Sequence, residues 1–243
     1  MNTDKGRFYL VSVGIGDADN ITIKAQKIIE QADIVFAMDF IRDNFAVLLA
    51  DKEIHDAGHG FFTKEKMNSA RGDDEDRQRK IIRDAVANGK TVAVLDFGDP
   101  TLFSPQSGYL REFADLDPKV IPGISSFNAA NAAIGMELTG KYDRAVVLTD
   151  AMPGRDGVRE RLTQLAATHS TLVFFTMRMD LADTVALLKS HYPGETPAVI
   201  VSHAGFAEKE TVLRATLDTI VESARGIAWE HLLYVGPALS REL

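Results

Sequence analysis

The sequence predicts an α/β fold: two α/β domains, residues 1–126 and 127–243, with a parallel sheet in the first and a ligand cleft between them. Three observations carry this. An apolar run ending in glycine, an amphipathic helix and a second apolar run follow one another within ~30 residues at the start, which is a βαβ unit. The same rhythm recurs up to residue 135. The second half has a different rhythm, and the boundary falls near Ser126 or Phe127, where small residues close the first sheet. A boundary between two such halves is a favoured place for a small ligand.

The elements follow in order. "FYLVSVG" (8–14) is short, apolar and ended by glycine, so it reads as a buried strand. In "ITIKAQKIIEQA" (21–32), Ile21, Ala25, Ile28, Ile29 and Ala32 share one helical face. "DIVFA" (33–37) is the second strand. "DRQRKIIRDAVANG" (76–89) is a helix stopped by Gly89. "KTVAVLDFG" (90–98) is a strand running into a Gly-Asp-Pro turn, and a helix is expected within "SPQSGYLREF" (104–113). "KVIPG" (119–123) is a strand, and "SSFNAANAAIG" (125–135) a small-residue helix opened by a serine cap. In the second half, "RAVVLTD" (144–150), "STLVFFTM" (170–177), "TPAVIVSHAG" (196–205) and "HLLYVGPAL" (231–239) are strands. "DLADTVALLKSHY" (180–192) is a helix, and "ETVLRATLDTIVESA" (210–224) begins as a strand and ends as a helix.

Composition excludes several functions. The 243 residues contain no cysteine, which removes disulfides, thiolate metal sites and a cysteine nucleophile. A net charge of -8 argues against a broad nucleic-acid surface. No apolar run approaches the ~20 residues of a membrane span. "MNTDKGR" lacks the apolar core of a signal peptide, so a cytoplasmic location is expected.

The first loop, "GIGDAD", matches a dinucleotide fingerprint in part. Gly14 and Gly16 are present, but Asp19 stands where a third glycine is needed. Carboxylates at Asp17 and Asp19 would repel a pyrophosphate at the helix start. Either aspartate would instead serve as a cap for the helix. Asp39, at the end of the second strand, occupies the place of a ribose ligand.

Four segments taken together point to a family. "YLVSVGIGDADNITIKAQKIIEQADIVF", "VAVLDFGDPTLFS", "VIPGISSFNAANAAIGMEL" and "TPAVIVSHAGFAEKETVLRATLDTI" with "LLYVGPAL" resemble, in order, the motifs of the tetrapyrrole (corrin/porphyrin) methylase family. The resemblance implies a homodimer of two-domain chains that holds S-adenosylmethionine in the interdomain cleft. It implies a cofactor site lined by Ile15, Gly98, Asp99, Pro100, Leu102, Phe103, Ser125, Ser126, Thr176 or Met177, and Ala204. The chemistry suits these residues. S-adenosylmethionine carries no phosphate, and its cationic groups tolerate the nearby carboxylates. Gly98 removes a Cβ, Pro100 has no N–H to leave unpaired, and Ser125 and Ser126 offer hydroxyl and N–H groups.

The implied reaction is C-methylation of a corrin precursor. "GDPTLFSPQSGYLREF" resembles the precorrin-2 type, whereas "GMELT" and "ETVLRATLDTIV" resemble the precorrin-4 type. The alternative is methylation of a peptide or protein, at a backbone amide or a modified histidine. Methyl transfer needs mainly a nucleophile in line at roughly 3 Å. A base assists where a proton must leave. Asp39 and His59 are the candidates on the substrate side. Residues 55–80 are where a polycarboxylate substrate is expected to enter, with Lys64, Lys66, Arg71, Arg77 and Arg79 available to it. The acidic run Asp73–Asp76 counts against that and reads equally as a solvated loop. His55 and His59 alone make no metal site, and none is expected.

Overall fold

The computed structural model describes residues 6–63, 69–140, 145–176, 178–227 and 231–240. The chain divides into two compact units, Met1–Ser125 and Ser126–Leu243.

The first unit runs β1 (Arg7–Ser12), a 3₁₀ turn (Ala18–Asn20), α1 (Ile23–Gln31), β2 (Ile34–Phe36), α2 (Asp39–Asn44), α3 (Ala46–Leu49), β3 (Glu53–His55), α4 (Ser69–Ala87), β4 (Thr91–Asp96), α5 (Gly108–Glu112) and β5 (Lys119–Ile121). Its sheet has the order β3-β2-β4-β1-β5, and every pair is parallel. A parallel sheet is covered on both faces, which is why its strands are apolar runs and not alternating ones. On β1, Tyr9 and Val11 face a core with Ala25 and Ile29 of α1 and Ile41 of α2. Phe8 and Leu10 face the opposite core with Ile82 and Val86 of α4 and Tyr109 and Phe113.

Two local expectations are corrected. Neither Asp17 nor Asp19 caps α1. The N-cap is Thr22, whose hydroxyl accepts from the Ala25 N–H at 3.1 Å, while Asp17 precedes the 3₁₀ turn with no side-chain cap and Asp19 lies inside it. The helix expected from residue 76 begins at Ser69, so Asp73–Asp76 are helical and not part of a loop. The charges that suggested a solvated segment are organised by it. Arg77 pairs with Asp74 at 3.0 Å, Arg79 reaches Asp76 and lies 2.5 Å from Glu112 of α5, and Glu75 accepts from the Phe62 N–H at 2.9 Å. Such i,i+3 pairs support an exposed helix face.

The second unit comprises α6 (Ser126–Ile134), β6 (Val146–Asp150), α7 (Val158–Ala166), β7 (Thr171–Phe175), α8 (Leu181–Leu188), β8 (Pro197–Ser202), β9 (Thr211–Thr216), α9 (Ile220–Ser223) and β10 (His231–Val235). The sheet order is β6-β7-β10-β8-β9; only β6 and β7 run parallel. Leu172, Phe174, Ala198, Ile200, Leu233 and Val235 form one core with Leu162 of α7 and Val185 and Leu188 of α8. Asp180 caps α8, accepting from the Asp183 N–H at 2.9 Å. Arg144, the first residue of the expected strand 144–150, lies outside the described residues.

Candidate functional site

In the first sheet, the chain leaves β1 toward β2 on one side, and leaves β4 toward β5 on the other. Adjacent strands whose connections diverge open a crevice at their carboxyl ends, where α/β sheets bind ligands. The glycine loop after β1 and the Gly-Asp-Pro turn after β4 meet at this point. Gly14 and Gly98 form an isolated bridge, the Gly98 N–H donating to the Gly14 carbonyl at 2.7 Å.

Ser12 holds the junction together. Fully buried at the end of β1, its hydroxyl donates to the Gly98 carbonyl at 2.5 Å and accepts from the Gly14 N–H at 3.0 Å. Gly123, in the Pro-Gly-Ile-Ser segment, closes over it. A Cβ on Gly123 would stand 1.9 Å from the Ser12 Oγ. Gly14 is needed twice over: its φ is +79°, and a Cβ would stand 2.4 Å from the Asn20 carbonyl oxygen. Ile15 is buried beside it, its carbonyl accepting from the Asn20 amide at 2.9 Å.

Asp99 is occupied within its own turn. One carboxylate oxygen accepts from the Thr101 N–H at 2.8 Å and its hydroxyl at 2.5 Å, and the other accepts from the Gly123 N–H at 3.2 Å. It thus joins the Gly-Asp-Pro and Pro-Gly-Ile-Ser segments. Gly98 and Pro100 are buried and Leu102 is half-buried. Phe103 is 41% exposed with φ at +53°, an uncommon conformation for a bulky residue. It belongs to none of the three cores.

Asp96, the last residue of β4, has no solvent exposure. One of its oxygens accepts from the Phe97 N–H at 2.9 Å and the other from the Ser104 hydroxyl. Burial dominates and pushes its pKa up to about 6; Asp99 adds to the rise, and the Ser104 and Phe97 hydrogen bonds oppose it. Neither Ser12 nor Asp96 was singled out from the sequence. The readable signal was a polar residue closing an otherwise apolar strand.

Ser125 is buried and Ser126 opens α6. In the second unit, Thr176 follows β7 and donates to the His231 carbonyl at the start of β10. Ala204 follows β8, between His203 at φ +51° and Gly205 at φ +84°. The strand directions bring Thr176, His231 and Ala204 to one end of that sheet. Met177 lies outside the described residues.

On the substrate side, Asp39 starts α2 with its side chain exposed and 2.9 Å from Arg42. His59 is exposed in the segment after β3. His55, on β3, pairs with Glu53 at 2.9 Å and stacks on Phe36. Lys64, Lys66 and the Arg71 side chain lie outside the described residues. Among the described residues no group of three His, Asp or Glu side chains is placed to hold a metal ion, and no helix is long and apolar enough to cross a membrane. A concavity of about 760 Å³ beside α1 and α3 is lined by residues such as Ile21, Phe45 and Val47, and by none of the expected cofactor residues.

Comparison with known proteins follows the same motifs. The model of the Tetrapyrrole (Corrin/Porphyrin) Methylases matches residues 7–221. The cobalt-precorrin-4 C(11)-methyltransferase of Methanocaldococcus jannaschii is 31% identical over 239 residues, covering 95% of this chain and 87% of that one. The crystal structure of a cobalt precorrin-4 methyltransferase of cobalamin biosynthesis superimposes with a TM-score of 0.77 at 25% identity, covering 97% of this chain and 96% of the other. A uroporphyrin-III C-methyl transferase from Thermus thermophilus, in complex with S-adenosylhomocysteine, gives a TM-score of 0.72 at 22% identity, covering 97% and 94%.

Proposed function

The chain belongs to the tetrapyrrole (corrin/porphyrin) methylase family, and from that premise we propose that it transfers a methyl group from S-adenosylmethionine to a carbon of a corrin precursor of the precorrin-4 type. The observation that carries this is the 31% identity, over 95% of the chain, with a cobalt-precorrin-4 C(11)-methyltransferase. "GMELT" and "ETVLRATLDTIV" agree with it.

The cofactor supplies a methyl group already activated on a sulfonium. The protein's part is to position and to exclude water. In this reading Gly14, Ile15, Gly98, Leu102 and Phe103 form the wall on which the cofactor lies, with Ser12 and Asp99 holding that wall in shape. The residues present fit a phosphate-free cation. The oxygens gathered around the Gly14–Gly98 bridge, the Asp99 carboxylate among them, would oppose the negative charge of a pyrophosphate. Ser125 and Ser126 take polar groups of the cofactor, as do Thr176 or Met177 with Ala204 in the domain of residues 127–243. Methylation of a carbon forms one carbon–carbon bond, breaks one carbon–sulfur bond and leaves a proton to be lost. Asp39 and His59 are the exposed groups we assign to the substrate side. The reading includes a homodimer, as the family resemblance implies, and a cytoplasmic location. Sedimentation as single chains at micromolar concentration would remove the homodimer.

The test is incubation with methyl-labelled S-adenosylmethionine and a panel of precorrins and candidate peptides. Label in a precorrin-4-type substrate is expected. Label in a peptide, or retained cofactor binding without any turnover, would overturn the proposal.

A further inference from the structure

Asp96 is a buried carboxylate that the transfer reaction does not use, and its partners form a chain. The Ser104 hydroxyl that donates to Asp96 also accepts from the Gln106 N–H at 2.9 Å. The fully buried Gln106 side chain donates to the Gly58 carbonyl at 2.7 Å. The Tyr109 hydroxyl lies 2.8 Å from the Ala57 carbonyl and 2.5 Å from the Gln78 Oε1, and Gln78 in turn donates to the Asp56 carbonyl. Residues 97–106 hold Gly98 to Phe103, and residues 56–60 hold His59. One buried polar network therefore ties the cofactor-side loop to the substrate-side segment.

The network has a fixed direction at its head. Ser104 accepts from the Gln106 N–H and gives its own proton to Asp96, which as a carboxylate is acceptor-only. A protonated Asp96 brings a second hydrogen to the same contact, and the Ser104 oxygen can take it only by turning its own proton away from Asp96. A partly satisfied buried network is a costly arrangement.

We propose that Asp96 is a positioning residue for the cofactor, its ionised form holding residues 97–106 through Ser104 in the cofactor-accepting geometry and its protonation releasing them. This rests on the methyltransferase reading above. The ionisation falls in an accessible range, because burial raises the pKa to about 6. Of the groups that touch or influence Asp96, Asp99 is charged. Ser104 and Phe97, its hydrogen-bond partners, and Ser12, its register partner on β1, do not titrate in this range. By linkage, cofactor binding at a pH near the pKa must then expel protons.

The experiment is calorimetric titration of the full chain with S-adenosylhomocysteine from pH 5 to 8, in buffers of different ionisation enthalpy, for the wild type, Asp96→Asn and Ser104→Ala. The expected wild-type result is an affinity about tenfold lower at pH 5 than at pH 7.5, with about half a proton released per ligand at pH 6. Asp96→Asn should show neither effect, and Ser104→Ala should bind more weakly at pH 7.5. Should Asp96→Asn not fold, the wild-type proton release decides. A wild-type affinity that is flat with pH, or an unchanged pH dependence in Asp96→Asn, overturns the inference while leaving the cofactor reading standing. No binding at pH 7.5 with millimolar ligand overturns both.

Discussion

Replacing Gly123 by alanine tests whether the junction of the three motif segments is as tight as its geometry implies. The Gly123 backbone is not in the left-handed region, so alanine is conformationally acceptable and only space decides. The new methyl would stand 1.9 Å from the Ser12 Oγ and 2.6 Å from its Cβ. Ser12 is fully buried and cannot swing into solvent. Displacing its hydroxyl breaks the bonds to the Gly98 carbonyl and the Gly14 N–H. Two buried hydrogen bonds at about 1 kcal/mol each, with about 1–3 kcal/mol for overpacking, give a loss of about 3–5 kcal/mol. That is a large share of the roughly 5–15 kcal/mol by which a domain is stable. Urea unfolding at pH 7.5 measures it. The companion is Ser12→Gly, which removes the obstructing atoms, so the double variant should be less destabilised than the sum of the singles by about 1 kcal/mol or more. A single variant within about 0.5 kcal/mol of wild type, or a double variant additive with the two singles, would refute the reasoning.

Three further outcomes are expected. Asp99→Ala should weaken S-adenosylhomocysteine binding about tenfold by calorimetry, because the link from Thr101 to Gly123 through its carboxylate is lost and one charged hydrogen-bond network is worth about 1.5–3 kcal/mol. Asp96→Asn should remove a pH dependence of stability that the wild-type carboxyl confers. A carboxyl raised from 3.8 to about 6 favours folding below pH 4, and that contribution is lost as pH rises through 6. Between pH 5 and pH 7.5 the wild type should therefore lose about 1–2 kcal/mol of stability relative to Asp96→Asn, and parallel pH profiles of the two in paired urea titrations would contradict it. Tyr109→Phe leaves the Ala57 carbonyl and the Gln78 amide without their shared hydroxyl. It should cost about 1–3 kcal/mol by the same method.

What the sequence made legible divides along physical lines. β1, β4, β8 and β10 are apolar runs bounded by turn residues, and their existence follows from that pattern alone. The Gly-Asp-Pro turn was readable because glycine and proline constrain the backbone locally. β3 was not, since Glu53–His55 is three half-exposed or charged residues whose strand identity comes from pairing with β2. The beginning of α4 was hidden because its acidic run resembles a solvated loop, and its partners Phe62 and Glu112 are distant in sequence. The Ser12 and Asp96 contacts were illegible for a related reason. A buried polar side chain is explained by its partner, and Ser12 finds its own 86 residues away in Gly98. The cap at Thr22 is the exception, a local feature masked in the sequence by two nearby aspartates of at least equal capping strength.

The two sheets also differ in when they can assemble. β8 and β9 pair antiparallel across a short connection, Ser202 opposite Thr211, so their contact closes a small loop at low entropic cost. β1 emerges during synthesis well before its sheet neighbours, which begin at Thr91 and Lys119. Until those residues are made, its apolar edge has no strand to pair with. The nascent N-terminal half is thus the aggregation-exposed part of the chain, and its folding rate is bounded by long-range closure.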